Sequence, residues 1–382
     1  MKIGILTQPL HNNYGGLLQN YALQQVLKGM GHEVETLDWN PGDVEPVKEW
    51  LWRRKTWLMH LIDKSVEPLR YKITKREFSF ISQHNNRFIK KYFSVASVKA
   101  KSNKGFGVIA KREHINAFVV GSDQVWRPSY NPLLDSMFLK FAEAMDVKRI
   151  AYAASFGTSA WEFTPEQTEE CARLAKQFDL ITVREKSGVA LCREHLGVEA
   201  THVLDPTMLL NREDYEKVVI TENEPKSAGT LFHYILDPSE EKRGLIERLA
   251  AEKGLKPFTV MPKCQAENRT KWDVKHRIED CVFPSVTSWL RGFMDAEMVV
   301  VDSFHGAVFS IIFNKPFWVI GNKKRGNARF ESLLGMFELE DRMIEPGKEQ
   351  NWNAPIDWKR VNEFREKEKA RCIELLKTVL NK

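Results

Sequence analysis

Residues 2–30 read KIGILTQPLHNNYGGLLQNYALQQVLKGM. A short apolar run from Ile3 to Leu6 gives way to a polar loop holding His11, Asn12, Asn13, Tyr14, Gly15 and Gly16. Beyond it Leu18, Ala22, Val26 and Met30 step by four, and Gly29 and Gly31 close the segment. Side chains at that spacing share one helix face, and glycine commonly ends the last turn. Strand, loop and helix follow one another, and the same alternation continues downstream. It is the pattern of a parallel sheet with helices on both faces.

Further strands are predicted over 33–37, 117–121, 149–155, 180–183 and 201–204, with helices over 165–177 and 186–196. From 211 to 229 the chain is polar, with Glu222-Asn223-Glu224-Pro225-Lys226-Ser227, and is read as a domain boundary. A second series follows: strands over 231–236, 257–260, 298–301 and 317–320, and helices over 239–253, 285–295, 307–313 and 328–337. At 382 residues the chain exceeds the roughly 250 to 300 that one core organises. The predicted class is α/β, with two Rossmann-like domains in a GT-B-like arrangement. The first covers 1–222 with a basic helical insertion at about 48–112, and the second covers 223–357. A last helix over 358–382, with Val361, Phe364, Cys372 and Leu376 on one face, could lie back across the first domain.

Composition narrows the function. Apolar residues make up 43% and charged residues 28%, an ordinary globular balance. No apolar run approaches the roughly 18 residues of a membrane span, and the first residues lack a signal-like apolar stretch, so a cytoplasmic protein is expected. The cysteines number 5, scattered and without CxxC spacing, which suits reduced thiols and gives no zinc site. There is no P-loop, no HExxH and no Asp-x-Asp; neither a metal nor a cofactor is expected. Gly105-Phe106-Gly107-Val108-Ile109-Ala110 spells a dinucleotide fingerprint but does not follow a strand. Residues 48–112 hold 17 lysines and arginines against 4 acids, a local charge of +13 in a chain of +6. With Trp50, Trp52 and Trp57 beside Arg53, Arg54 and Lys55, that segment could make peripheral contact with an anionic membrane. The plainer reading is a helical insertion with inward aromatics and solvated lysines. Nucleic acid is not the expected partner.

Two constellations carry chemistry in the second half. Val299-Val300-Val301-Asp302-Ser303-Phe304-His305-Gly306-Ala307 is a buried strand running into a helix, with His-Gly at its start. The carboxyl edge of a parallel sheet is where ligands are held, and a helix N-terminus favours an anion there. His305 beside a bound anion is a general-acid candidate. Ser303, Phe304 and Gly306, at the same turn, are donor-binding candidates. The second is Gly321-Asn322-Lys323-Lys324-Arg325-Gly326-Asn327-Ala328-Arg329, an anion cradle in which Lys324, Arg325, Asn327 and Arg329 are donor-binding candidates. In the first half the loops with Asn12, Asn13, Tyr14, Gly15 and Gly16, and with Ser122, Asp123, Gln124 and Trp126, offer polar groups and aromatics suited to a sugar. Arg184 is an anion candidate. Asp205-Pro206 reads as turn chemistry.

Asn13-Tyr14-Gly15-Gly16, Gly121-Ser122-Asp123-Gln124-Val125-Trp126, Val183-Arg184-Glu185 with Ser187, Asp205-Pro206 and Ser303-Phe304-His305-Gly306 follow one another in an order that resembles the polysaccharide pyruvyl transferase family. The likeness runs over about 3–334. It implies a GT-B-like enzyme that moves the enolpyruvyl group of phosphoenolpyruvate onto two hydroxyls of a sugar in bacterial surface-glycan assembly, forming a pyruvate ketal and releasing phosphate. The acceptor could be lipid-linked, which would bring the protein to the inner face of the membrane. Carried over, His305 would protonate the enol methylene, Arg184 would hold the donor's phosphate or carboxylate, and the 12–16 loop would face the acceptor. The family often has arginine where this chain has Ser303, so the resemblance asks Lys324, Arg325 or Arg329 to supply that cation. A GT-B glycosyltransferase using a nucleotide sugar and a non-catalytic glycan-assembly protein remain alternative readings.

Overall fold

The apolar runs form strands that carry continuous buried side chains, as strands covered on both faces do. The computed structural model describes residues 1–39, 73–264, 270–321, 327–345, 348 and 350–381. In the first half lie β1 (Lys2–Leu6), α1 (Tyr14–Gly29), β2 (Glu33–Thr36), α2 (Lys75–Ile81), α3 (Gln83–Tyr92), α4 (Asn103–Arg112) and β3 (Ala117–Val120). They are followed by β4 (Lys148–Ala154), α5 (Pro165–Ala175), β5 (Leu180–Val183), α6 (Lys186–Leu191), β6 (Thr201–His202) and α7 (Arg212–Thr221). The second half holds β7 (Leu231–Tyr234), α8 (Glu240–Lys253), β8 (Pro257–Phe258), α9 (Lys271–His276), α10 (Val286–Asp295) and β9 (Met298–Val301). It ends with α11 (Phe304–Ile312), β10 (Phe317–Ile320), α12 (Ala328–Phe337), β11 (Met343–Ile344) and α13 (Trp358–Leu380).

Both sheets are parallel throughout and wound alike. The first runs β2-β1-β3-β4-β5-β6, the second β11-β10-β9-β7-β8. Counted from its own first strand, the second sheet repeats the order of the first five strands of its neighbour. In each, the chain leaves the opening strand to one side and returns on the other, so a crevice opens between β1 and β3 and between β7 and β9. Those are the switch points where such sheets bind ligands.

The halves share one apolar core, in which Ile3, Tyr14 and Leu18 join Phe232, Trp289, Val299 and Phe309. Tyr14 wedges into it, its ring 5.8 Å from that of Trp289 and its hydroxyl donating to the Pro284 carbonyl at 2.8 Å. Helix α13 spans both halves: Phe364 packs on Phe337, while Arg371 donates to the His202 carbonyl at 2.8 Å. Among the described residues no helix is long and apolar enough to cross a membrane.

The structure corrects three sequence expectations. The stretch 211–229 is not all connection: α7 buries Tyr215, Val218 and Val219 and starts at a capping box of Asn211 and Asp214. Helix α11 begins at Phe304, not near 307, which puts His305 within its first turn. In the insertion, Arg87 and Lys91 are not merely solvated. They and Tyr92 all bind Glu222 at the end of α7. The tryptophan-rich segment 50–57 lies outside the described residues. The 105–110 glycine motif falls inside α4, where it can make no dinucleotide turn.

Candidate active site

The two switch points face each other, and the starts of α1 and α11 meet there. Asn13 caps α1, its side-chain oxygen accepting from Gly16 N at 3.1 Å, and Ser303 caps α11, its hydroxyl accepting from Gly306 N at 3.0 Å. The contact is close: a Cβ on Gly15 would lie 2.1 Å from His305 Nδ1, and one on Gly306 would lie 2.6 Å from the Ser303 hydroxyl. Gly15 therefore lets the two helix N-termini converge on one spot, while Gly306 makes room for its own cap Ser303 and for Val301, and each terminus presents unpaired N–H groups and a partial positive charge.

Beneath His305 lies a buried charge cluster from the first sheet. Arg184, its side chain 1% exposed, follows β5 and reaches Asp205 Oδ2 at 3.0 Å, Asp123 Oδ1 at 3.4 Å and Glu185 Oε1 at 3.7 Å. Its guanidinium lies 4.3 Å from the centre of the Phe304 ring. Asp205 also accepts from the Ser122 hydroxyl at 3.2 Å and from Thr207 N at 3.0 Å, and its Oδ2 stands 3.5 Å from His305 Nε2. Burial opposes ionising Asp205, yet the charges of His305 and Arg184 hold it well below the usual carboxylate range. Asp123 is lowered the same way, against burial, by Arg184, His305 and Arg329. Burial instead pushes Glu185 up in spite of Arg184. Burial and the nearby Arg184 charge press Arg329 below the usual arginine range.

Several buried atoms here make no hydrogen bond: Glu185 Oε2, Ser187 Oγ and Arg329 Nε, together with Arg184 Nε and His305 Nε2, which stand 3.7 and 3.5 Å from the nearest carboxylate oxygens of Glu185 and Asp205. Such orphans are uncommon, and a cluster of them marks a site. The balance of charge is instructive. Two guanidiniums, Arg184 and Arg329, face three carboxylates, Asp123, Glu185 and Asp205. The described residues thus neutralise themselves once His305 is protonated and hold no surplus for a multiply charged anion.

Above the cluster a crevice of about 100 Å³ is bounded by Asn13, Gly15, Asp123, His305 and Arg329. A second hollow of about 390 Å³ adjoins it on the first-sheet side, lined by Gln8, His11, Asn13, Gly16, Gln124 and Tyr130. Asn13, Asp123, Gln124 and Tyr130 belong to both.

Most candidates meet here, but two aromatics do not. Tyr14 and Trp126 are completely buried: Tyr14 belongs to the core between the halves, and Trp126 stacks on Phe138 at 4.6 Å and donates to the Met137 carbonyl at 3.0 Å. Neither offers a face to a sugar. Asn12 is turned to the insertion, bonded to Ser82 at 2.9 Å and Asn85 at 3.0 Å. Asn327 directly precedes α12, while Lys324 and Arg325 lie outside the described residues. Asp302 receives Leu236 N, Asp237 N and Lys242 Nζ at 2.6 to 3.0 Å and so pins the loop after β7.

Three residues escaped the sequence reading. Asp205, taken for a turn residue, is the hub of the cluster. Glu185 is buried beside Arg184. Tyr130, 48% exposed and backed by Arg127 at 4.6 Å, is the aromatic that borders both hollows. The available signal was position: Asp205 follows the β6 segment at the same sheet edge as Arg184.

A sequence model of the polysaccharide pyruvyl transferase family matches residues 13–324, a range that holds Asn13, Asp123, Arg184, Asp205 and His305. The chain belongs to the polysaccharide pyruvyl transferase family. Among curated proteins no sequence matches. Solved structures share the architecture of this family member at low identity. UDP-GlcNAc 2-epimerase from Methanocaldococcus jannaschii is 10% identical over 99% of this chain and 100% of that one, with a TM-score of 0.52. S. aureus MnaA, solved with UDP, is 13% identical over 100% and 97%, with a TM-score of 0.51. Arabidopsis thaliana UGT89C1, complexed with UDP-L-rhamnose, is 9% identical over 99% and 98%, with a TM-score of 0.50. The likeness is one of fold, and the polysaccharide pyruvyl transferase chain is a two-domain α/β protein of GT-B-like architecture.

Proposed function

We propose that this transferase moves the enolpyruvyl group of phosphoenolpyruvate onto two hydroxyls of a sugar in a surface glycan or its precursor, forming a pyruvate ketal and releasing phosphate. The observation that carries the reading is the place of His305, in the first turn of α11 where a second helix N-terminus meets it and carboxylates lie below. The imidazolium gives its proton to the methylene carbon of the donor. The π pair forms the new C–H bond, and C2 becomes oxocarbenium-like. A sugar hydroxyl adds to C2 and its proton returns to the imidazole. The second hydroxyl then displaces phosphate at C2, its proton leaving with the phosphate.

In this reading residues 223–357 form the donor side. In it the phosphate and carboxylate lie against the start of α11 and Arg329, and Lys324 and Arg325, which fall outside the described residues, are the proposed source of the positive charge that the cluster lacks. Residues 1–222 form the acceptor side. The sugar occupies the hollow beside Gln8 and His11 and stacks on Tyr130, the exposed aromatic that replaces Tyr14 and Trp126 in that role. The setting we infer is the cytoplasm, at the inner membrane face for a lipid-linked acceptor, with the basic insertion as the contact.

Calorimetric titration of phosphoenolpyruvate, with UDP in parallel, into wild type and Arg329→Ala tests this without knowledge of the acceptor. Phosphoenolpyruvate should bind, and at least tenfold more weakly to the variant. Binding of UDP alone would move the protein to the nucleotide-sugar glycosyltransferases, and binding of neither would favour a non-catalytic role.

A further inference from the structure

We propose that Asp205 is the positioning residue of His305: it holds the ring by Nε2, so that Nδ1, on the Gly15 side, is the nitrogen that hands the proton to the substrate. The inference rests on the reading of His305 as the acid and adds to it the atom that acts and the group that aims it.

The two oxygens of Asp205 have separate partners. Oδ1 accepts from Thr207 N at 3.0 Å and from the Thr207 hydroxyl at 2.7 Å, which is all that the turn after β6 requires. Asparagine would serve such a turn as well. Oδ2 accepts from Arg184 at 3.0 Å and from Ser122 at 3.2 Å, and it is the atom that faces His305 Nε2 at 3.5 Å. A carboxylate is needed only on that side.

The ring is fixed from both edges. Nε2 is sealed from solvent and has Asp205 as its neighbour, while Nδ1 lies where a Gly15 Cβ would come within 2.1 Å, at a residue that borders the crevice. A buried carboxylate beside one imidazole nitrogen selects the tautomer protonated there and leaves the other nitrogen for chemistry. When Nδ1–H gives up its proton, the remaining proton stays on Nε2, facing Asp205, and the ring need not turn over between steps. Arg184, itself shared among Asp205, Asp123 and Glu185, keeps Asp205 anionic throughout. The pair is also divided between the halves of the molecule, Asp205 following β6 and His305 opening α11.

The experiment is nitrogen-15 NMR of the histidine side chains in the full-length protein, with His305 assigned by its loss in His305→Gln. In wild type the neutral ring should carry its hydrogen on Nε2. The charged groups around it are Asp205, Asp123, Arg184 and Arg329. In Asp205→Asn the tautomer preference should vanish. Asp123→Asn removes a charge without touching Nε2, so it should leave the tautomer. In phosphoenolpyruvate turnover, Asp205→Asn should lower kcat by about 10²-fold or more with the donor KM within about threefold. A wild-type ring protonated on Nδ1 would overturn the proposal. So would a folded Asp205→Asn protein with the wild-type tautomer. If that variant does not fold, the wild-type tautomer alone decides. If wild type binds no phosphoenolpyruvate, the donor assignment fails while the tautomer result still judges the pairing.

Discussion

The two switch points share one winding and differ in chemistry. At the first the polar groups are acidic and buried, gathered from the ends of β3, β5 and β6: Asp123, Glu185 and Asp205 around Arg184. At the second, between β7 and β9, the groups are the start of α11, its glycine and His305. One edge is a finished electrostatic frame, and the other is an incomplete one awaiting an anion. The same topology can thus be used twice because the sheet edge fixes only where a residue stands, while the loop fixes what it does.

Removing the proton donor strikes the second edge hardest. His305→Ala should lower turnover by about 10²- to 10⁴-fold with the fold intact, read by kcat at saturating donor and by the thermal transition. The frame of the first edge should respond in the opposite currency: Arg184→Ala leaves three carboxylates buried without their cation and should cost about 3–5 kcal/mol of stability, measured by denaturant titration. If Arg184→Ala instead weakened only donor binding at unchanged stability, the contrast between the edges would collapse.

The seam between them can be probed with one methyl group. Gly15→Ala drives a Cβ toward the His305 ring and should reduce turnover by about 10²-fold, because the ring must shift by roughly an ångström. Among the aromatics the contrast is sharper. Trp126→Ala should cost about 3–5 kcal/mol through the loss of a fully buried ring. Tyr130→Ala should leave stability within about 0.5 kcal/mol and raise the acceptor KM about tenfold.

The smallest effect concerns acid. Asp205 titrates below its unfolded value in the folded protein, so its stabilisation is complete above the ordinary carboxylate range near pH 4 and is lost as pH falls through the lowered folded value. The stability gap between wild type and Asp205→Asn should therefore narrow as pH is brought from 5 towards 2, as followed by denaturant midpoints.

The architecture was legible because buried parallel strands are continuous apolar runs. Leu180–Val183, Met298–Val301 and Phe317–Ile320 lie where the pattern put them. Helix α7 was missed because Arg212, Glu213, Asp214, Glu216 and Lys217 hide the three apolar positions of its inner face. In the site, His305 could be found from its strand-to-helix position alone. Asp205 was named in the ordered motifs but read as turn chemistry, since aspartate before proline satisfies local turn geometry and nothing in one dimension tells which oxygen has a second partner. Tyr14 and Trp126 beside glycine or polar loops look like sugar platforms, but whether a ring points to the crevice or to the core is decided by packing 270 residues away, as the Tyr14 to Pro284 bond illustrates.

The contact of Gly15 with His305 also orders events at the ribosome. The acidic frame, complete by residue 205, emerges a hundred residues before the histidine it surrounds. The acidic side chains are therefore made first, and the site is complete only when α11 packs against α1. Synthesis itself delays reactivity until the molecule is nearly whole.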